Sequence, residues 1–128
     1  MSFFYITDDV TPAGVGGAHV DVALLVVAGE IDYAAAPQLR QRILEHIRAG
    51  RRRLLVDLST VTFIDSTAIG VLAGATGELQ DAGEGSLTII CAEENTRVRR
   101  IFDIAGIDNL LAVHSSREQA LSELASAG

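Results

Sequence analysis

The stretch RLLVDL, Arg53 to Leu58, is followed closely by TFIDSTAIGVLAG, Thr62 to Gly74, and together they decide the fold. The first piece is almost continuously Leu and Val, the pattern of a strand buried on both faces. From about Ser66 the spacing changes. Ile69, Leu72, Ala75 and Leu79 recur along one face of a helix that runs to Ala82, with Gly83 beyond its end. Between the two stand Asp65, Ser66 and Thr67. A Ser or Asp just before a helix accepts hydrogen bonds from its free first N–H groups, so Ser66 reads as the cap.

The alternation continues on both sides. Upstream, FFYIT from Phe3 is β-prone and TPAGVGGA from Thr11 is glycine-rich and reads as a loop. VDVALLVVAGEI, Val20 to Ile31, is a strand dense in β-branched residues. AAAPQLRQRILEHIRAG, Ala34 to Gly50, is helical: Pro37 suits a first turn, and Leu39, Ile43 and Ile47 share a face. Gly50 suits the left-handed position after its last turn.

Downstream, strand LTIIC (Leu87 to Cys91) leads to helix TRVRRIFDIAG (Thr96 to Gly106). Asn95 is its expected N-cap, and Val98, Ile101, Phe102 and Ala105 form its inner face. Strand LLAVH (Leu110 to His114) and helix SREQALSELA (Ser116 to Ala125) follow, with Ser115 and Glu118 at capping-box spacing. Strands alternating with helices are mostly parallel, because parallel neighbours need a crossover. The first two strands, joined by a loop alone, should pair antiparallel. The expectation is one α/β domain over residues 1–128, a small mixed, mostly parallel sheet of about five strands with about four helices.

At 128 residues the chain has the size of one domain with one substantial core. The longest apolar run, Val22 to Ala28, falls far short of the ~18 residues a membrane span needs. The start, MSFFYITDD, lacks the basic stretch of a secretory signal. The single cysteine, Cys91, can form no internal disulfide and reads as a buried small hydrophobe. A cytoplasmic, monomeric protein with no membrane association is expected. A net charge of −7 argues against a nucleic-acid partner, since phosphate contacts need a positive surface. All ten basic residues are arginines, and six fall between Arg40 and Arg53, which reads as a solvated helix face and the turn after it, with a docking patch as the alternative.

Loops at the carboxyl ends of parallel strands are where α/β proteins keep their sites, and Ser66 lies on one. Enzyme chemistry finds little support there. No G-x-S-x-G elbow is present, and His19, His46 and His114 are scattered; only His114, ending a strand at the same expected edge, stands as a candidate base for Ser66. The His and Cys spacing gives no metal site, and TPAGVGGA lacks the G-x-G-x-x-G spacing of a phosphate loop. A receiver domain phosphorylated on aspartate requires a lysine, and the chain has none.

FIDSTAIGVL at Phe63 to Leu72, following LLVDLSTVT, resembles the signature of the STAS domain, named for sulphate transporters and anti-sigma factor antagonists. GEIDYAAAPQLR from Gly29 and FDIAGIDNLLAVHSSREQALSEL from Phe102 agree with it, so that the resemblance spans Val20 to Leu124. It implies a bacterial anti-anti-sigma factor that binds an anti-sigma factor with the histidine-kinase-like ATPase fold and so frees a sigma factor. It further implies that this partner, itself a serine kinase, phosphorylates Ser66 to release the complex, and that a serine phosphatase reverses the step. Thr67 is the alternative acceptor. Asp32, Asp65, Ser66, Thr67 and Ala68 are the implied partner-binding residues, Ala68 standing where the family commonly has glycine. The chain itself would need no cofactor and be no enzyme, ATP and Mg²⁺ belonging to the kinase. The alternative within the same fold is a scaffold subunit of a sensory complex or a partner of a transporter.

Overall fold

The computed structural model describes residues 3–15, 18–83 and 85–126. Strands β1 (Phe4–Val15), β2 (Ala18–Ile31), β3 (Arg53–Ile64), β4 (Ser86–Ile90) and β5 (Ala112–His114) lie side by side in chain order in one sheet. β1 pairs antiparallel with β2, and each later strand pairs parallel with the one before it. Helices α1 (Ala36–Arg48), α2 (Ser66–Asp81), α3 (Thr96–Ala105) and α4 (Arg117–Ser126) alternate with the later strands. The expected α/β architecture, a mixed and mostly parallel sheet, is what forms. Among the described residues no helix is long and apolar enough to cross a membrane.

Both faces of the sheet are covered, which explains the continuous apolar runs. Ala23, Leu25, Val27, Leu54, Val56 and Leu58 point to one side and pack with Leu39, Leu72 and Phe102 of α1, α2 and α3. The intervening Val22, Leu55 and Ile90 point to the other side, against Ala120 and Leu124 of α4. Cys91 is fully buried just past β4, where burial pushes its thiol up and the nearby Arg99 offsets part of the rise.

Several elements differ from the sequence reading. β1 does not stop near Thr7 but continues to Val15, so most of the glycine-rich segment expected as a loop is strand; Gly16 and Gly17 lie outside the described residues. Pro12 is tolerated because β1 is an edge strand, where a missing N–H need not break a ladder. β3 likewise runs six residues past Leu58, to Ile64. Ala105 ends α3 exposed, because Gly106 turns left-handed (φ 66°) and Ile107 takes the buried place instead. The cap of α4 is Ser116, one residue later than Ser115, and Gln119 in place of Glu118 reaches back past the cap to the residue before it. Ser116 Oγ accepts from the Gln119 N–H (3.2 Å), and Gln119 Oε1 accepts from the Ser115 N–H (3.1 Å).

Asn95 caps α3 as expected, its Oδ1 accepting from the Val98 N–H at 3.2 Å. Its amide nitrogen meanwhile donates to the carbonyls of Leu58, Ser59 and Val61, the last at 2.7 Å. The β2–β3 register shifts between Val26 and Ala28 and again between Gly29 and Glu30. Asn95 thus pins β3 where its pairing is irregular, and beyond that point β3 carries the chain to Asp65.

Candidate functional site

β2 and β3 end in step. Ile31 is the register partner of Ile64, and both are buried, so the next residues, Asp32 and Asp65, leave the sheet on neighbouring strands about 4.8 Å apart. The Asp65 N–H donates to the Ile31 carbonyl at 3.3 Å, tying the two exits together. Asp32 Oδ1 accepts from the N–H groups of Ala34 and Ala35, both at 3.0 Å, and its carbonyl accepts from Ala35 and Ala36. Asp32 therefore folds the turn that starts α1.

Asp65 is the N-cap of α2. Its backbone is extended (φ −111°, ψ 179°), and its Oδ1 accepts from the Ala68 N–H at 3.1 Å. Ser66, expected as the cap, is instead the first helical residue. Two adjacent residues were each suited to capping, and the one with non-helical dihedrals took the role. Ser66 and Thr67 are exposed, Asp32 and Asp65 half-buried. Ala68 is fully buried in the main core, so its methyl presents nothing to a partner and does not stand in the way of one. Four of the five residues named from the sequence share one edge; the fifth points inward from it.

Exposed aromatic residues surround that edge and were missed by sequence reasoning. Tyr33, 74% exposed, follows Asp32 in the turn, and Phe63, 42% exposed, stands two residues before Asp65. Because β1 is antiparallel, its start lies here too: the Glu30 N–H donates to the Phe3 carbonyl at 2.7 Å. The Phe3 and Tyr5 rings meet edge to face, centroids 5.3 Å apart, and both are exposed. Gly29 makes this approach possible, with φ 93° and space for no Cβ, which would fall 2.0 Å from the Phe3 carbonyl oxygen. A tyrosine between Asp32 and the alanines that lead into α1 was the available signal, since exposed aromatic residues favour interfaces.

Ser66 has no histidine to work with at His114. The register sets His114 level with Ile90, and Ile90 level with Asp57, nine residues before Ser66 on β3 and with β4 in between. That separation is far beyond hydrogen-bond reach. Asp57 is itself occupied, holding the Ser59 N–H (2.9 Å) and the Arg117 guanidinium (3.1 Å). His46 is buried beneath β1, its Nε2 2.8 Å from Asp8 and its Nδ1 3.2 Å from the Arg51 guanidinium. Arginine only donates, so Nδ1 accepts and Nε2 carries the proton towards Asp8. His19's side chain lies outside the described residues. Among the described residues no group of His, Cys, Asp and Glu is placed to hold a metal ion. What remains is an exposed hydroxyl at the positive end of a helix, beside two carboxylates and a rim of aromatic rings. Such a surface suits docking and modification.

Comparison with known proteins bears on the family and the fold. The model of the STAS domain matches residues 18–120. The anti-sigma-B factor antagonist of Staphylococcus epidermidis is 30% identical over 100 residues, which cover 78% of this chain and 90% of that protein. The anti-sigma-B factor antagonist of Bacillus subtilis is 34% identical over 92 residues, covering 72% and 81%. Among solved structures, an anti-sigma factor antagonist from Mycobacterium paratuberculosis matches with a TM-score of 0.71 at 25% identity, over 92% of this chain and 94% of that one.

Proposed function

The chain belongs to the STAS domain family, and from that premise we propose that it is an anti-sigma factor antagonist switched off by phosphorylation of Ser66. Its partner is an anti-sigma factor that is also a serine kinase of the histidine-kinase-like ATPase fold. ATP and Mg²⁺ belong to that partner, and a serine phosphatase resets the switch. The chain is a substrate and a binding module, not a catalyst. Asp32, Asp65, Ser66 and Thr67 form the docking edge, with Tyr33 and Phe63 as aromatic anchors.

The observation that carries this reading is the division of labour between Asp65 and Ser66. Asp65 caps α2, so the exposed Ser66 hydroxyl can be modified without removing the cap. A phosphoryl group brings about −1.5 to −2 charge at neutral pH. The helix N-terminus accepts that charge locally through free N–H groups and the dipole. The complex does not. A partner fitted to a neutral hydroxyl would have to desolvate a dianion standing beside the carboxylates of Asp32 and Asp65.

The test is incubation with the kinase-fold anti-sigma factor of the same organism and Mg-ATP, followed by mapping of the phosphorylated residue by mass spectrometry. Phosphate on Ser66, with none on the Ser66→Ala protein, is the expected result. Phosphate on Thr67 in the wild type would move the switch by one residue, and no transfer to either would remove it.

A further inference from the structure

At the sheet edge opposite Ser66, the chain passes from α1 into β3 through Arg51, Arg52 and Arg53. A cavity of about 420 Å³ opens there, lined by Asp21, Gly50, the three arginines and Gly83 among others. That volume falls in the range of small-molecule sites, roughly 300–1,000 Å³. Gly50 and Gly83 give it open walls, since a Cβ added at either would meet nothing within 4 Å.

Two of these arginines, Arg51 and Arg52, donate hydrogen bonds to neutral acceptors. Arg52 donates to the carbonyls of Ile47 (3.0 Å) and Arg51 (3.1 Å), and Arg51 reaches His46. The Arg51 Nε is buried and meets no acceptor among the described residues. Among those residues neither Arg51 nor Arg52 lies within ion-pair distance of a carboxylate. In a chain with 17 acidic residues against 10 basic ones, two guanidinium groups that meet no carboxylate of the described residues stand together on one cavity wall, where an anion from outside can reach them.

We propose that this cavity binds a small phosphate-bearing anion, held by the guanidinium groups of Arg51 and Arg52. The planar fork of arginine matches phosphate oxygens with paired hydrogen bonds. The carboxyl ends of α1 and α2 also face the cavity, and with Asp21 they offset part of the positive potential. Binding is therefore modest, with Kd on the order of 1 mM. The 16 residues of α2 separate the cavity from Ser66 by about 24 Å, so the site stands apart from the proposed switch.

The experiment is an amide NMR titration of the full chain with sodium pyrophosphate at constant ionic strength, with sodium chloride as the control. Saturable shifts at Gly50, Arg51 to Arg53 and Gly83, with Ser66 to Ala68 unmoved and chloride inert, are expected. Arg51→Gln combined with Arg52→Gln should weaken binding about tenfold or more. Asp21→Asn, which touches no arginine contact to the helix, should tighten it about two- to threefold. Asp21→Asn also keeps the test decisive if the arginine variant fails to fold. Linear shifts without saturation, shifts gathered at Ser66 to Ala68, or an Asp21→Asn affinity equal to wild type would each overturn the proposal.

Discussion

The two ends of α2 face opposite chemistry. Its amino end carries carboxylates, hydroxyls and aromatic rings: Asp65, Ser66, Thr67 and, across the edge, Asp32, Tyr33 and Phe63. Its carboxyl end opens on a cavity walled by Arg51, Arg52 and Arg53. The helix has no acidic residue in its first turn and no basic one in its last, so neighbouring segments supply the complement to its dipole. Asp65 supplies it at one end, while at the other the arginines of the α1–β3 connection line the same cavity as Gly83.

The strongest way to break this contrast is to remove the support both ends share. Leu72 is fully buried at the centre of α2's inner face, and Leu72→Ala should cost about 2–5 kcal/mol in chemical denaturation. Amide exchange should then rise at both ends of the helix together. Gly29→Ala acts on one end only. It forces a Cβ against the Phe3 carbonyl at a left-handed φ and should cost about 1–3 kcal/mol. NMR shifts should change around Phe3, Glu30 and Asp65 and leave Gly50 and Gly83 in place.

Asp65→Ala and Ser66→Ala sharpen the contrast at a single helix end. The cap belongs to Asp65, so its loss should cost about 0.5–2 kcal/mol, while Ser66→Ala should stay within about 0.5 kcal/mol of wild type. Equal losses in thermal unfolding would return the capping role to Ser66.

The smallest effect concerns pH and the tether of β1 to α1. The hydrogen bond from Arg42, helped by His46 and opposed by burial, holds the Asp8 carboxyl below its ordinary value of 3.8. A carboxyl lowered in the folded state stabilises the fold fully above its unfolded value, and that contribution is lost as pH falls through the folded one. Asp8→Asn should remove this part of the acid slope below about pH 4 and cost under about 1 kcal/mol at neutral pH. Both ends of α2 should be unmoved by it.

The alternation of strand and helix was legible because coverage on both faces leaves each central strand an unbroken run of Leu, Val and Ile. The edge strand was not. Pro12 and Gly14 look like loop residues, and only the position of β1 at the sheet's edge makes them acceptable in a strand. The polar triad was found, but not its division of roles. Asp65 and Ser66 are both cap residues by type, and the choice rests on backbone dihedrals that composition does not carry. Ser115 with Glu118 and Ser116 with Gln119 posed the same ambiguity at α4, resolved by the helix start. The arginine cluster was visible as a run of residues. That two helix ends and a cavity meet there emerges only when the chain is folded.

Ser66 is the proposed switch, and its most direct test is capture of partners from a host lysate by the wild-type protein, Ser66→Ala and Ser66→Asp. The wild type and Ser66→Ala should retain an anti-sigma factor of the kinase-like ATPase fold, and Ser66→Asp should lose it. Retention of the same anti-sigma factor by all three forms would contradict the switch and leave Ser66 an ordinary first residue of a helix.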